Sequence, residues 1–499
     1  MLKRPVPDLA SALREALPSS QRDLIGRLAR VFAAEGQALY LVGGIVRDLL
    51  LERRLPMPLD LDLATSSPPE TTQRLGHMAR PVSVYDVGAR FGTIGFMFGD
   101  GPDMVRAEIT TYRAEHYPDD TRFPTVRFGE SIHDDLARRD FTVNAIAAEA
   151  TTGTLIDPFD GQADLHQGIL RAVGNPDERF VEDPLRLLRA ARFVAQLGFR
   201  LDPETEAAMA RHAASLARIS QERVWMELSR LLTAEYAPHG LEALRRTGVL
   251  TVAMPELLPL AGEAAGERQP SIHREKDLWD HTLRVVGQAD DDPVVRWSAL
   301  LHDAAKPLTR TVDTGGEVHF FGHERIAAEL ATRLLRRLKA DRTTQVAVSR
   351  IVELHGRPTT YDAGWTDSAV RRLQVDADGV LEELLQLAAA DVTSAREEKQ
   401  RAAAHRVDAL RAHIDRLEAE RALDDLQSPL DGHELMALFA RPPGIWIKQI
   451  KEHLRELVLD GELDPDDKII AERIAREMMA TDVSREGIGG EIGARHRDD

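Results

Sequence analysis

The chain contains no cysteine in 499 residues. Disulfides, thiolate nucleophiles and sulfur-held zinc are therefore excluded. Aromatic residues are only 5% of the total, while Ala, Leu and Arg recur over long stretches, which predicts a mostly helical protein. Positive charge is outweighed: 64 Lys and Arg stand against 82 Asp and Glu, a net charge of −18. Taken alone this argues against a nucleic-acid partner, because phosphate recognition relies on clustered Lys and Arg. A local basic groove on an acidic protein still binds RNA, and arginines do cluster over 179–200 (RFVEDPLRLLRAARFVAQLGFR). No apolar run reaches the roughly 18 residues of a membrane span. No N-terminal apolar stretch has the form of a secretory leader, so a cytoplasmic location is expected and no membrane partner. No GxxxxGK[ST] motif occurs, so this is not a P-loop protein.

What is present divides by pattern. The length exceeds one ordinary core, and three or four domains are expected. Residues 1–35 read as an amphipathic helical lead-in. Over 36–180 strand-like runs dominate (LYLVGG, LDLDLAT, TIGFMFG, VRAEITTYR, TLIDPF), interrupted by helical patterns at 46–52 and 131–140, a mixed α/β unit. Residues 181–262 turn helical. The polar stretch 261–275, with its Gly and Pro, marks a boundary. A His-containing helical unit covers 276–400, a charged helix at about 395–425 leads into a helical tail over 401–480, and the Gly- and charge-rich 481–499 reads as disordered.

The most unusual local feature is LDLDLAT (59–65). On a strand, Asp60 and Asp62 share one face while Leu59, Leu61 and Leu63 share the other. Two carboxylates so placed stay ionised together only with a cation or strong hydrogen bonds between them. Upstream, LVGGIVRD ends a strand in Gly43-Gly44 and starts a helix carrying Arg47, an arrangement that accommodates a phosphate. Downstream, Glu108 is a third acid in an apolar strand. Three carboxylates on neighbouring strands suit two Mg²⁺ ions and in-line phosphoryl or nucleotidyl transfer. RRDFTVNAIA supplies Arg139, Asp140 and Asn144. In EDPLRLLRAARF, Asp183 reads as an N-cap before Pro184 at the first helical position, with Arg186 and Arg189 on one face.

These motifs, in this order and spacing over roughly residues 35–260, resemble the class II tRNA nucleotidyltransferases and bacterial poly(A) polymerases. The resemblance implies a polymerase-β-like α/β nucleotidyltransferase head followed by mostly α-helical neck, body and tail. It implies Asp60 and Asp62 as Mg²⁺ ligands, with Glu108 as a third carboxylate. It places Gly43, Gly44 and Arg47 at a triphosphate, and Arg139, Asp140 and Asn144 at sugar and phosphates. Asp183 and Arg186 would read the incoming base, supported by Arg189. Cytosine and adenine share an exocyclic amino donor beside a ring-nitrogen acceptor, an edge that Asp and Arg can meet; guanine and uracil would leave buried polar groups unpaired. The expected partners are CTP, ATP and a tRNA 3′ end. Full CCA addition, A addition to a CC end and poly(A) synthesis share this scaffold. The loop within 113–138 has ordinary length, which disfavours CC-only addition but does not separate the others. An inactive head beside a working hydrolase is the alternative from another class, and the intact Asp60/Asp62 pair argues against it.

A second constellation follows. His281, the pair His302-Asp303 and Asp391 lie in or beside helical segments, where they can converge on one divalent metal. With HDAAKP at 302–307, the stretch resembles the HD phosphohydrolase superfamily. That resemblance implies a transition metal such as Ni²⁺, Mn²⁺ or Co²⁺ and a phosphatase or 2′,3′-cyclic phosphodiesterase activity, with His323 and His355 extending the site to a second metal or to phosphate. In the tail, a Pro-Pro-Gly turn precedes a helix with apolar Ile445, Ile447, Ile450, Leu454 and Leu457; two readings are open, a tRNA-backbone contact through Lys448, Lys451 and His453 or a capping helix pair that packs on the body. Oligomeric state is not legible in the sequence.

Overall fold

The computed structural model describes residues 9–86, 92–116, 125–128, 131–262, 278–392, 397–425, 428–459 and 462–488. Among the described residues, nine strands build the N-terminal part. They are β1 (Leu39–Val42), β2 (Leu59–Thr65), β3 (Ser83–Asp86), β4 (Thr93–Phe98), β5 (Val105–Thr111), β6 (Arg113–His116), β7 (Thr125–Phe128), β8 (Ala147–Glu149) and β9 (Leu155–Ile156). Seven form one sheet in the order β3-β4-β5-β2-β1-β8-β9, and β6 and β7 pair separately. The β2–β5 pair is parallel and its neighbours antiparallel.

Alternation along β2 follows the sequence pattern. Leu59, Leu61 and Leu63 are each 1% exposed, while Asp60 and Asp62 open to the other face. Each buried leucine contributes roughly 1.5–3 kcal/mol, so a one-residue slip, which would invert every side chain, is strongly disfavoured. The parallel register sets Asp62 opposite Glu108 and Asp60 opposite Arg106. The row continues from Glu108 to Gly95 and on to Tyr85. A Cβ at Gly95 would lie 2.4 Å from the Tyr85 ring, so this glycine lets the ring lie across the sheet beside the carboxylates.

The helix Leu185–Leu197 is the hub of the helical part. Asp183 Oδ1 accepts the Leu185 N–H at 3.1 Å, and Pro184 has helical φ −59° and ψ −17°. The cap and first turn expected from EDPLR are thus both present. Leu187, Ala190, Ala191 and Ala195 are fully buried, and the helix packs against Gln221–Leu232 and Ala237–Arg246. Further helices at Leu278–Gln288, Pro293–Leu301, His323–Arg337, Arg342–Leu354 and Leu381–Ala390 form the His-containing part. It is fastened to the preceding helices: Trp297 stacks on Trp225 at 4.8 Å, and the Arg337 guanidinium forks onto Glu256 at 2.8 Å. These segments belong to one compact unit, Met1–Pro358 with Gly379–Gln400. The boundary expected at 261–275 falls largely on 263–277, outside the described residues.

Two differences from the sequence reading concern the C-terminal half. Residues 359–378, expected inside the His-containing unit, join 401 onward in a second unit. Asp367 there takes His413 Nε2 at 2.9 Å and Arg416 Nη2 at 2.6 Å, long-range contacts that amphipathic periodicity does not specify. The last helix runs Lys468–Ile488, eight residues into the stretch expected to be disordered; 489–499 lie outside the described residues. Within this unit the Ile445–Leu459 helix buries Ile450 and Leu454 as expected, but Ile445 is 78% exposed. No helix among the described residues is long and apolar enough to cross a membrane.

Candidate active sites

The first site is a cleft of about 670 Å³ between the outward face of the sheet and the start of Leu185–Leu197. Gly43, Gly44, Arg47, Asp62, Glu108, Arg139, Asp140, Asn144, Asp183, Arg186 and Arg189 all line it. Asp60, two residues before Asp62 on the same strand face, is exposed beside it. Residues far apart in sequence therefore meet here, and the structure adds Thr93, Thr110, Arg113, Arg138, Arg192 and Phe193.

Asp62 and Glu108 are only partly compensated by nearby arginines. The protein walls around Asp62 and the nearby Asp60 raise its carboxyl above the ordinary range, against the pull of Arg139. Burial likewise raises Glu108, followed by the charges of Asp62 and Asp60. Among the described residues, Asp60, Asp62 and Glu108 make no ion pair, and together they present a hard oxygen donor set of the kind Mg²⁺ prefers.

Gly43 closes one side. Its φ of +73° is strained for any other residue, and a Cβ would lie 2.9 Å from Arg139 Nη1 and 3.6 Å from Asp62 Oδ2. The bare backbone leaves room between a carboxylate and an arginine, where a phosphate could approach.

Asp140 and Asn144 turn out to be organisers. Asn144 Oδ1 accepts from Arg47 Nη1 at 2.8 Å, and its Nδ2 donates to Asp140 Oδ1 at 3.1 Å. Asp140 Oδ2 takes Arg189 Nε and Nη2 at 2.8 and 2.6 Å. Burial opposes the Asp140 charge, but Arg189, Asn144 and the Phe141 N–H hold its carboxyl below the ordinary range. Arg47 also forks onto Asp48. Arg186 gives Nη1 to Glu182 at 2.7 Å and to the Arg179 carbonyl, and Nη2 to the Arg138 carbonyl at 2.8 Å. Arg47, Arg189 and Arg192 gather round the Phe193 ring at 5.4, 5.4 and 4.3 Å, which eases the packing of like charges. Burial lowers Arg192 to about 10 despite Glu227 beside it. Arg192, Phe193 and Glu227 carried no sequence signal beyond an amphipathic helix face.

The second site lies in the His-containing part. His281 Nε2 sits 3.2 Å from His302 Nε2 and 3.3 Å from both Asp303 Oδ2 and Asp391 Oδ1. His323 and His355 approach Asp303 Oδ1 with Nε2 at 3.5 and 3.7 Å. All six are thus brought together, as two potential triads: His281, His302 and Asp391, and Asp303 with His323 and His355. The Nδ1 atoms of His302, His323 and His355 point at the carbonyls of Ala299, Phe320 and Val352 at 2.7–2.8 Å. This fixes each ring with Nε2 facing the centre, as metal-ligating histidines require. Asp303 Oδ1 and His323 Nε2 are buried without a hydrogen-bond partner. The donor set fits transition metals. Without one the cluster holds protons: burial disfavours charge on His302, but Asp303 and Asp391 raise it to about 9. Asp391 sits at about 2, where His281 and His302 outweigh burial. Lys306, missed as a site residue, reaches Asp303 Oδ2 at 2.6 Å.

Comparison with known proteins follows this division. A Poly A polymerase head domain model matches residues 39–171, a model of the probable RNA and SrmB-binding site of polymerase A matches 198–260, and an HD domain model matches 278–396. The CCA-adding enzyme of Geobacillus sp. (strain WCH70) is 32% identical over 438 residues, 86% of this chain and 90% of that protein. That of Geobacillus kaustophilus is 38% identical over 295 residues, 58% of this chain and 68% of that protein. The crystal structure of the Bacillus stearothermophilus CCA-adding enzyme in complex with CTP superposes with a TM-score of 0.58 at 27% identity, covering 94% of this chain and all of that one. The chain belongs to the CCA-adding enzymes, a family of nucleotidyltransferases.

Proposed function

We propose that the first cleft builds the 3′-terminal CCA of tRNA, adding CMP residues from CTP and then AMP from ATP, and that this occurs in the cytoplasm. The observation that carries this reading is the meeting of Asp62 and Glu108, with Asp60 beside them on the same strand face, with an arginine wall in one cleft. Asp60, Asp62 and Glu108 would hold Mg²⁺, which when bound activates the 3′-hydroxyl and neutralises charge on the α-phosphate and leaving pyrophosphate. Arg47 and Arg139, flanking the bare backbone of Gly43 and Gly44, orient the triphosphate. The 3′-oxygen forms its bond to the α-phosphorus as the bond to the bridging oxygen breaks and pyrophosphate leaves. Asp183 accepts from the exocyclic amino group of cytosine or adenine, and Arg186 donates to the ring nitrogen. Glu182 and two carbonyls fix the Arg186 guanidinium, so its remaining N–H donors stay aimed. Asp140, Asn144 and Arg189 act as positioning residues behind this wall.

The test uses 3′-labelled tRNA ending at the discriminator base or already in CC, incubated with Mg²⁺ and CTP, ATP or both. Two C additions and one A on the shorter tRNA are expected. A addition to the CC-ended tRNA alone would assign an A-adding enzyme, and a long A ladder a poly(A) polymerase.

The convergence of four histidines on Asp303 supports a second reading, a phosphohydrolase using Ni²⁺, Mn²⁺ or Co²⁺ at His281, His302, Asp303 and Asp391, with His323 and His355 completing a second metal position. Elemental analysis of purified protein tests this, and a metal content unaffected by His302→Ala would overturn it.

A further inference from the structure

Beside the His–Asp centre, residues 306–323 expose an unusual amount of apolar surface: Phe321 is 77% exposed, Leu308 58% and Val312 52%. Phe321 stacks on His319 with ring centroids 5.0 Å apart and planes within 12°. The stack is braced from behind. Asp313 Oδ2 holds His319 Nε2 at 3.0 Å, while Asp313 Oδ1 accepts the Gly315 and Glu317 N–H groups at 2.8 and 2.9 Å and closes the turn. Thr311–Val312 pairs with Val318–His319 and fixes the hairpin. An exposed aromatic stacked on a second ring that is itself hydrogen-bonded to Asp313 is a preorganised surface, since less side-chain freedom is left to lose on binding.

Its position relates it to the metal-ligand cluster. The adjacent Phe320 accepts His323 Nδ1 on its carbonyl at 2.8 Å, and its ring lies 5.8 Å from Lys306 Nζ, which is itself 2.6 Å from Asp303 Oδ2. Phe321 is therefore one residue from a group that touches a ligand candidate and two residues from His323. A centre of this donor set takes phosphate, and an exposed aromatic face on the segment that leads into His323 is a surface on which a base can stack.

We propose that Phe321, backed by His319, is the specificity-determining platform of the HD centre, and that it stacks the base of a ribonucleoside phosphate whose phosphate enters the His–Asp cluster. This rests on the phosphohydrolase reading above. Stacking on an aromatic face is tolerant of base identity, so the platform accepts guanine and uracil as well as adenine and cytosine, unlike the cleft of the head.

That contrast supplies the test. The full-length chain loaded with Mn²⁺ is titrated calorimetrically with guanosine 3′-monophosphate and, separately, with inorganic phosphate, using His302→Ala as the baseline that removes the centre. Guanosine monophosphate should bind about tenfold more tightly than phosphate. Phe321→Ala should erase that preference with phosphate affinity and Mn²⁺ content unchanged, and Phe321→Trp should keep it. A preference that survives Phe321→Ala overturns the platform. Phosphate binding without any base preference in the unaltered chain also overturns it, while leaving the hydrolytic centre standing. Binding of neither ligand overturns both. A trinucleotide ending in a 3′-phosphate separates two sources of the same group: equal or tighter binding assigns an RNA end, and weaker binding a free nucleotide, with the stack supported in either case.

Discussion

The two sites prepare for cations in opposite ways. In the head, the carboxylates make no ion pair among the described residues, and burial and neighbouring carboxylates raise Asp62 and Glu108 against the weaker pull of Arg139 and Arg106. In the HD centre the counter-charge is already present: burial opposes the charges of Asp303 and Asp391, but His302 and His281 hold both carboxyls low, and Lys306 pairs with Asp303. An all-oxygen set open to a cleft suits a weakly held Mg²⁺ that shares its coordination with a nucleotide. An imidazole-carboxylate cluster with fixed ring orientations suits a resident transition metal, which must first displace protons. The same chain thus carries one site that gains charge balance from its substrate complex and one that is balanced before any ligand arrives.

The largest expected effect separates the two outright. Asp62→Ala should reduce nucleotide addition by about a thousandfold or more, since the metal contribution is lost, with tRNA binding and HD metal content nearly unchanged. His302→Ala should do the reverse, emptying the HD centre while addition proceeds at the normal rate. Single-turnover addition and elemental analysis on both variants check the pair, and parallel losses in each would mean the sites are not separable.

Next in size is base choice. Arg186→Ala removes the proposed donor and also takes a partner from Glu182 Oε2 and from the Arg179 and Arg138 carbonyls. Discrimination of CTP and ATP against UTP and GTP should fall by about ten- to a hundredfold, measured as the ratio of kcat/KM values. Unaltered selectivity would remove Arg186 from base reading.

A smaller, graded effect comes from pH. In the head, the raised carboxyls cost stability when ionised, and that cost vanishes as pH falls through their raised values. Mg²⁺ binds the ionised form, so its stabilisation should be full at neutral pH and shrink as protons replace it. In the HD centre, His302 at about 9 contributes stability that is complete below the ordinary imidazole pKa of about 6.5 and lost as pH rises through about 9. A metal there competes with that proton, so its affinity should climb across the interval. Thermal midpoints with and without each metal over this pH range should show the two windows apart.

How much of this was legible follows from how local each signal is. LDLDLAT announces its own alternation, and EDPLR its own cap, so Asp60, Asp62, Asp183 and Pro184 behave as the sequence implies. The histidine set was also readable, because each member sits in a distinctive helical context and all six converge. Glu108 was recognisable as an acid in a strand, but only the β2–β5 register places it opposite Asp62. The arginine network was not readable. Asn144 joins Arg47, 97 residues away, to Asp140, and Glu227 lies beside Arg192 on another helix. Such pairs depend on how helices dock, and helical periodicity records only that a face is buried.

The smallest effect expected is at Asn144, and it measures how far the head relies on preorganised side chains. Asn144→Ala deletes the hydrogen bonds to Arg47 and Asp140, each involving a charged partner and of a kind worth about 1.5–3 kcal/mol. Both partners retain other anchors: Arg47 keeps its fork onto Asp48, and Asp140 keeps Arg189 and the Phe141 N–H. The loss should therefore be partial, a KM for CTP and ATP raised by no more than about tenfold with kcat little changed, because Arg47 meets the triphosphate in the ground state as well as in the transition state. Asn144→Asp should be worse than Asn144→Ala despite its closer shape. It keeps an acceptor for Arg47 but sets a second carboxylate against the buried Asp140, whose charge already depends on every partner it has. If the two variants instead behaved alike, Asp140 would not be charged in the working enzyme, and the positioning role assigned to the Arg47–Asn144–Asp140–Arg189 chain would fail with it.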